Sequence, residues 1–319
     1  MMNKNMTRCA LPLLMAVVAL PAAAFNKNAY VVNQADNTVS VIDTTNNRVT
    51  ATIPVGGNPQ GIAVSPNGAE VYVTNGNDNT VSVIKAATNA VVASVPVGGF
   101  PFGVTVSPDG RNVYVANAND STVSVIDSAR NTVVASVDVG FLPFNVATGP
   151  SGKFLYTSNF GDNTVSVVDT ATKAVVATVP VGAAPNGIDV GPLGARVYVA
   201  NGGSNNVSVI DAFTNQVKST IAAGNGAGAV VTSPIGLPVY VSNLADSTVS
   251  VINPLNSAVI ATVPVGSAPG PLAVSSKLGR VYVTNSGSHS VSVINPFTNK
   301  VIATVDVGNF PAAVATQPE

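Results

Sequence analysis

A tetrad that begins with tyrosine returns at Tyr30, Tyr72, Tyr114, Tyr156, Tyr198, Tyr240 and Tyr282, and every interval is 42 residues. The asparagine that closes it keeps the same register from Asn33 to Asn285, as does a glycine from Gly56 to Gly308. Self-similarity at a period of about 40 to 45 residues means that one supersecondary unit is stacked side by side, each copy burying its faces on its neighbours. Any fold for this chain must therefore be assembled from seven like parts.

Each part holds four short strands. In the second unit Gly61-Ile62-Ala63-Val64-Ser65 is an apolar run, followed by Pro66-Asn67-Gly68. That triplet reads as a turn, since Pro presets φ and Gly admits positive φ. Val71-Tyr72-Val73-Thr74 is the second run, and Thr80-Val81-Ser82-Val83-Ile84 alternates valine with small hydroxyls at the strand period of two. The fourth run, Val91 to Val97, contains Pro96. Proline donates no ladder hydrogen bond and is confined to sheet edges, so Pro54, Pro96, Pro180 and Pro264 assign the fourth strand to the outer edge. Such short runs leave no room for helices of about 10 to 12 residues.

The expected fold is all-β: a seven-bladed β-propeller with four antiparallel strands per blade around a central channel. The tail from Pro311 to Pro318 matches Pro59 to Pro66, so residues 312–316 should pair beside 30–33 and close the ring through both termini. The stretch Ala222 to Ala229 has lost the usual Pro-Val-Gly-x-x-Pro pattern and gained glycines, which predicts a weaker, more mobile junction there.

At Tyr72-Val73-Thr74-Asn75, with Thr80-Val81-Ser82-Val83-Ile84 and Val97-Gly98 around it, the sequence resembles the YVTN family of β-propeller repeat proteins. The tetrad recurs verbatim at Tyr282-Val283-Thr284-Asn285, and variants such as Tyr114-Val115-Ala116-Asn117 extend the resemblance over roughly residues 29 to 316. It implies a propeller fold. The family and its relatives include surface-layer and extracellular proteins, periplasmic ligand or nucleic-acid binders, and propellers similar to cofactor-bearing enzymes, so it implies no single activity. The tetrad carries over no catalytic residue.

Residues 1–24 read as a secretory signal. Lys4 and Arg8 precede an apolar run from Ala10 to Leu20, and Ala22-Ala23-Ala24 offers a small-residue cleavage site. The run is short against the roughly 20 residues needed to span a bilayer. The propeller is then residues 25–319, exported to the periplasm or the cell surface, with no transmembrane segment after cleavage. Cys9, the one cysteine, leaves with the signal, which excludes disulfides, thiolate metal sites and Cys-x-x-Cys-His haem attachment from the mature chain. Charged residues make up 9% of the chain and lysine and arginine are scattered, which disfavours nucleic acid as a partner.

Chemistry on this scaffold would need convergent ionisable groups at one end of the channel or a loop insertion to carry them. The strict register leaves no insertion, Glu70 and Glu319 are the only glutamates, and His289 is the only histidine. No catalytic residue, metal site or cofactor is expected. Asp36, Asp78, Asp120, Asp162 and Asp246 share one loop offset, so the fold should array them as an acidic ring. Such a ring could hold cations, but an aspartate in a loop more often bonds its own turn. The copies differ most at the channel mouth, where Gln60, Phe102, Phe144 and Asn186 share an offset and are the candidate ligand-binding residues. Asp189 stands where other units have Ala63 and Ala147, and needs a donor if it is buried. The expected function is a non-enzymatic binding or interaction scaffold in the cell envelope, its partner a protein, glycan or small ligand. The alternatives are a structural surface-layer or matrix component, and a cofactor-carrying or hydrolytic propeller.

Overall fold

The computed structural model describes residues 28–275 and 279–318; the expected signal, with Cys9, and Glu319 lie outside the described residues. Twenty-eight strands form seven four-stranded antiparallel sheets. Blade 2 is typical, with strands Pro59–Val64, Glu70–Asn75, Thr80–Lys85 and Ala90–Pro96 in that order from the channel outwards. The register runs Val64↔Val71 and Glu70↔Lys85 at one end, and Asn75↔Thr80 and Thr80↔Pro96 at the other. Two faces follow from these directions. The crossover face carries the loops between second and third strands and the blade-to-blade connections, while the turn face carries the two tight turns of each blade.

The ring closes as the tail predicts. Pro311–Thr316 is the innermost strand of blade 1, pairing antiparallel with Asn28–Asn33 from Ala29↔Thr316 to Asn33↔Pro311. No blade is left with an unpaired inner strand.

Seven apolar clusters hold the blades together, one at each contact between neighbours. Between blades 2 and 3, Tyr72, Val81, Val83 and Val95 meet Val104, Val106, Val113, Val115 and Ile126. Full burial of a valine or isoleucine stabilises by about 1.5 to 3 kcal/mol, so each contact is a small core in its own right. Both faces of a middle strand are covered, and the valine–hydroxyl alternation therefore does not separate core from solvent: Val81 and Val83 are buried, and so is Ser82.

The hydroxyls serve the tetrad's asparagine. Asn75 is fully buried, and its Nδ2 donates to Thr80 Oγ1 at 3.0 Å and Ser82 Oγ at 2.9 Å. Asn117 does the same to Thr122 and Ser124, both at 2.9 Å. The repeated glycine completes the unit, because a Cβ on Gly98 would stand 2.7 Å from Asn117 Cγ and 2.7 Å from Asp120 Oδ2. Asparagine, Thr-x-Ser and glycine recur together because they pack as one object.

Candidate binding site at the channel mouth

Each crossover is held by side chains from both blades it joins. Between blades 2 and 3 the Gly99 N–H donates to Asp120 Oδ2 at 2.6 Å and the Phe100 N–H donates to Asn79 Oδ1 at 2.9 Å. Asp78, Asp162, Asp246 and Asp36 accept in the same way from Gly57, Phe141, Asn225 and Asn309. Ser204 and Ser288 take over in blades 5 and 7. The five aspartates thus do share one face, and each carboxylate is committed to a backbone amide. The Asn309 amide holds Asp36 below the ordinary carboxylate range, and the Asn225 amide does so for Asp246. Among the described residues no three His, Cys, Asp or Glu side chains converge as a metal site would require.

His289 replaces the clamp asparagine in blade 7, its Nδ1 accepting the Phe310 N–H at 3.1 Å. Only an unprotonated Nδ1 accepts. The junction between blades 5 and 6 keeps the clamp too, through Asn225 N–H to Asp246 at 2.7 Å and Gly226 N–H to Asn205 at 2.8 Å, and adds Asn225 Nδ2 to Asp246 Oδ1 at 2.9 Å. Gly226 has φ +71°, where other blades force Phe100, Leu142 or Phe310 to positive φ. Glycine relieves strain at that position. The structure removes the ground for expecting a weak junction there.

Inside the ring of crossovers the channel opens as a cavity of about 520 Å³. Gln60, Phe102 and Asn186 line it together with Gln34, Asn145 and Ser286. Phe144 stands against Phe102, the rings stacked at 4.7 Å and 8°, and Phe160 stacks on Phe144 at 4.4 Å and 14°. Stacked pairs add roughly 0.5 to 1.5 kcal/mol beyond burial, which makes a stiff aromatic wall on blades 3 and 4. Phe160 was not singled out by the sequence reading. Its signal was present, since Gln34, Gly76, Ala118, Gly202, Leu244 and Ser286 hold that offset elsewhere. Leu244 and Phe310 add half-exposed apolar surface to the rim.

The inner strands lie close together. A Cβ on Gly103 would stand 2.7 Å from the Phe144 carbonyl oxygen, so glycine sets the bore here. Asp189, three residues beyond Asn186, is the one ionisable group among the lining residues. Protein encloses it, with part of its surface open to the channel. Oδ2 accepts from the Thr232 N–H at 2.6 Å and the Thr232 hydroxyl at 2.8 Å, and Oδ1 accepts from the Val190 N–H. Burial pushes its pKa up to about 6, against these bonds.

Family models for YNCE-like β-propellers and for the cytochrome D1 heme domain match residues 14–105 and 73–197. Hydrazine synthase of Kuenenia stuttgartiensis superposes with a TM-score of 0.75 at 23% identity, over 82% of this chain and 90% of that one. A functionally unknown protein from Desulfotomaculum acetoxidans DSM 771 gives 0.81 at 18% identity, over 92% and 100%. The likeness is one of fold. No curated protein sequence matches. The heme-domain match poses a test that the donor set answers. Haem iron is held by His, Cys, Met or Tyr, and no channel-lining residue is of those types. The cysteine and all methionines fall within the first fifteen residues, and His289 sits in a clamp loop. The residues present do not fit a haem ligated by this chain within the channel.

Proposed function

We propose that this chain is an exported, non-catalytic binding propeller of the cell envelope, of the YVTN repeat type, periplasmic or at the cell surface. Its ligand is a small, uncharged or cationic organic molecule with an aromatic ring, taken up at the channel mouth. The observation that carries the reading is the mouth itself: Phe102 backed by Phe144 and Phe160 on one wall, the side-chain amides of Gln60, Asn145 and Asn186 around it, and Asp189 below. Small-molecule sites are concave and largely apolar with a few placed polar groups. The mouth has that make-up, and its residues vary between copies while the framework repeats. The carboxylate there, Asp189, already accepts from the Thr232 hydroxyl and from two backbone amides, and no second acid or base lines the channel among the described residues, which favours binding over catalysis. The apolar leader supports export.

The test is to recover the protein from its native envelope and identify by mass spectrometry what leaves it on denaturation. An aromatic compound in stoichiometric amount is expected, absent from protein carrying Phe144→Ala and Phe160→Ala. An empty protein that takes up no such compound from a cell extract counts against the reading.

A structural surface component is the second reading, favoured by the outer strands. Val92, Val134, Val176 and Ile260 are more than half exposed beside unpaired edge backbone, a surface that pairs readily with another edge. Concentration-dependent assembly in sedimentation, abolished by Val134→Lys and Val176→Lys, would support it over the first.

A further inference from the structure

The turn face is not equivalent around the ring. At the third-to-fourth-strand turn, blades 1 to 4 present Thr45, Ala87, Ala129 and Ala171, whereas blades 5 to 7 present Phe213, Leu255 and Phe297. These three are 82%, 72% and 89% exposed. Their backbones are fixed alike, each N–H donating to the side-chain oxygen of Asp211, Asn253 or Asn295 at 2.9 to 3.0 Å, so each tip is held out into solvent by a built turn. The first-to-second-strand turns follow suit, with Leu193 and Ile235 in blades 5 and 6 where blades 2 to 4 have Asn67, Asp109 and Ser151. Large apolar side chains at turn tips, gathered on one arc of one face, mark an interaction surface.

Charge is divided along the same axis. Among the described residues the crossover face carries seven aspartates and no lysine or arginine, while all ten lysines and arginines lie towards the turn face. On blades 1 to 4 that face is nearly balanced. On blades 5 to 7 it carries Arg196, Lys218, Arg280 and Lys300 against Asp211 alone, since Asn253 and Asn295 replace the aspartates found at Asp127 and Asp169. Arg196 and Arg280 also brace the arc, donating to the carbonyls of Pro254 and Thr44.

We propose that the turn face of blades 5 to 7 docks on an anionic lipid bilayer, with Phe213, Leu255 and Phe297 entering the boundary between headgroups and acyl chains. Apolar side chains ringed by cations are the pattern that seats a protein in that boundary, at a depth of roughly 5 to 10 Å. Separate prongs on separate blades each need a pocket in a protein partner. A bilayer supplies one everywhere. The seven aspartates of the opposite face are repelled by the same surface, so docking also orients the molecule, with the channel mouth away from the lipid. Docking by these tips does not depend on what the channel binds.

Flotation of residues 25–319 with phosphatidylcholine vesicles, and with the same vesicles containing phosphatidylglycerol to about one third, tests it. Binding is expected to the anionic vesicles and to weaken with salt. Combined Phe213→Ser, Leu255→Ser and Phe297→Ser should reduce partitioning by at least about tenfold while leaving the melting temperature unchanged, because all three are exposed. Lys218→Gln and Lys300→Gln should each cost about fivefold at low salt. The chain has no tryptophan, so Phe297→Trp gives a clean reporter: its emission should shift to the blue on anionic vesicles and be quenched by brominated lipid, whereas Phe310→Trp on the other face should not respond. Absence of flotation, or unchanged binding by the triple variant, would overturn the proposal. Concentration-dependent dimers abolished by the triple variant would assign the tips to a second copy of the chain and overturn it equally.

Discussion

Replacing Asn117 with alanine tests whether the repeated asparagine is a structural part or a remnant of the motif. Its side chain is fully buried and donates to Thr122 and Ser124 at 2.9 Å each. Two neutral hydrogen bonds contribute about 0.5 to 1.5 kcal/mol apiece, and the void left by the amide adds to that. We expect a loss of about 2 to 4 kcal/mol, read from the urea midpoint followed by circular dichroism. Gly98→Ala should also destabilise, since its Cβ would be 2.7 Å from Asn117 Cγ. Combining the two removes part of that collision, so the double variant should be more stable than the sum of the singles predicts by about 1 kcal/mol. The residual clash is with Asp120 Oδ2, also at 2.7 Å. A cost below about 0.5 kcal/mol for Asn117→Ala, or strict additivity of the pair, would refute the claim that asparagine, hydroxyls and glycine act as one unit.

Deleting residues 308–319 removes the strand Pro311–Thr316 that completes blade 1; calorimetry should show the melting temperature falling by about 10 °C or more, and an unchanged melt would dismiss closure as a source of stability. Asp189 has a raised pKa, so the proton is bound more tightly in the folded state, and the stability this gives is present below pH of about 4 and lost as pH rises through about 6. That slope, of the order of 1 to 3 kcal/mol between those limits, should disappear in urea titrations of Asp189→Ala; a slope that persists would locate the titration elsewhere. Amide exchange across Gly224–Ala229 should be no faster than across Val97–Gly103, because both crossovers keep two side-chain clamps; markedly faster exchange would show that the glycines dominate.

The architecture could be read from the sequence because it is written seven times. Equal spacing of Tyr30 to Tyr282 gave the blade number, Pro96 and its equivalents the outer edge, and the likeness of Pro311–Pro318 to Pro59–Pro66 the closure. What escaped was contact between units. The bond from Asp120 to Gly99 spans twenty-one residues, and the stack of Phe102 on Phe144 joins the inner strands of blades 3 and 4. Neither is local in sequence. Asp36 and its counterparts were expected to bond their own turns; their partners are instead backbone amides of the preceding blade-to-blade connection, which no side-chain pattern reveals. The arc of Phe213, Leu255 and Phe297 was equally present as text, but it has meaning only once the turns are known to stand side by side on one face.

A binding propeller of this kind must take up its ligand at the channel mouth. Saturation-transfer nuclear magnetic resonance of residues 25–319 with a panel of indole, adenosine, tyramine and glucose measures that uptake directly. Transfer should appear for members with an aromatic ring and be lost when Phe144 and Phe160 are replaced by alanine, with glucose silent in both. Equal transfer to wild type and variant, or none to any aromatic member, would contradict it.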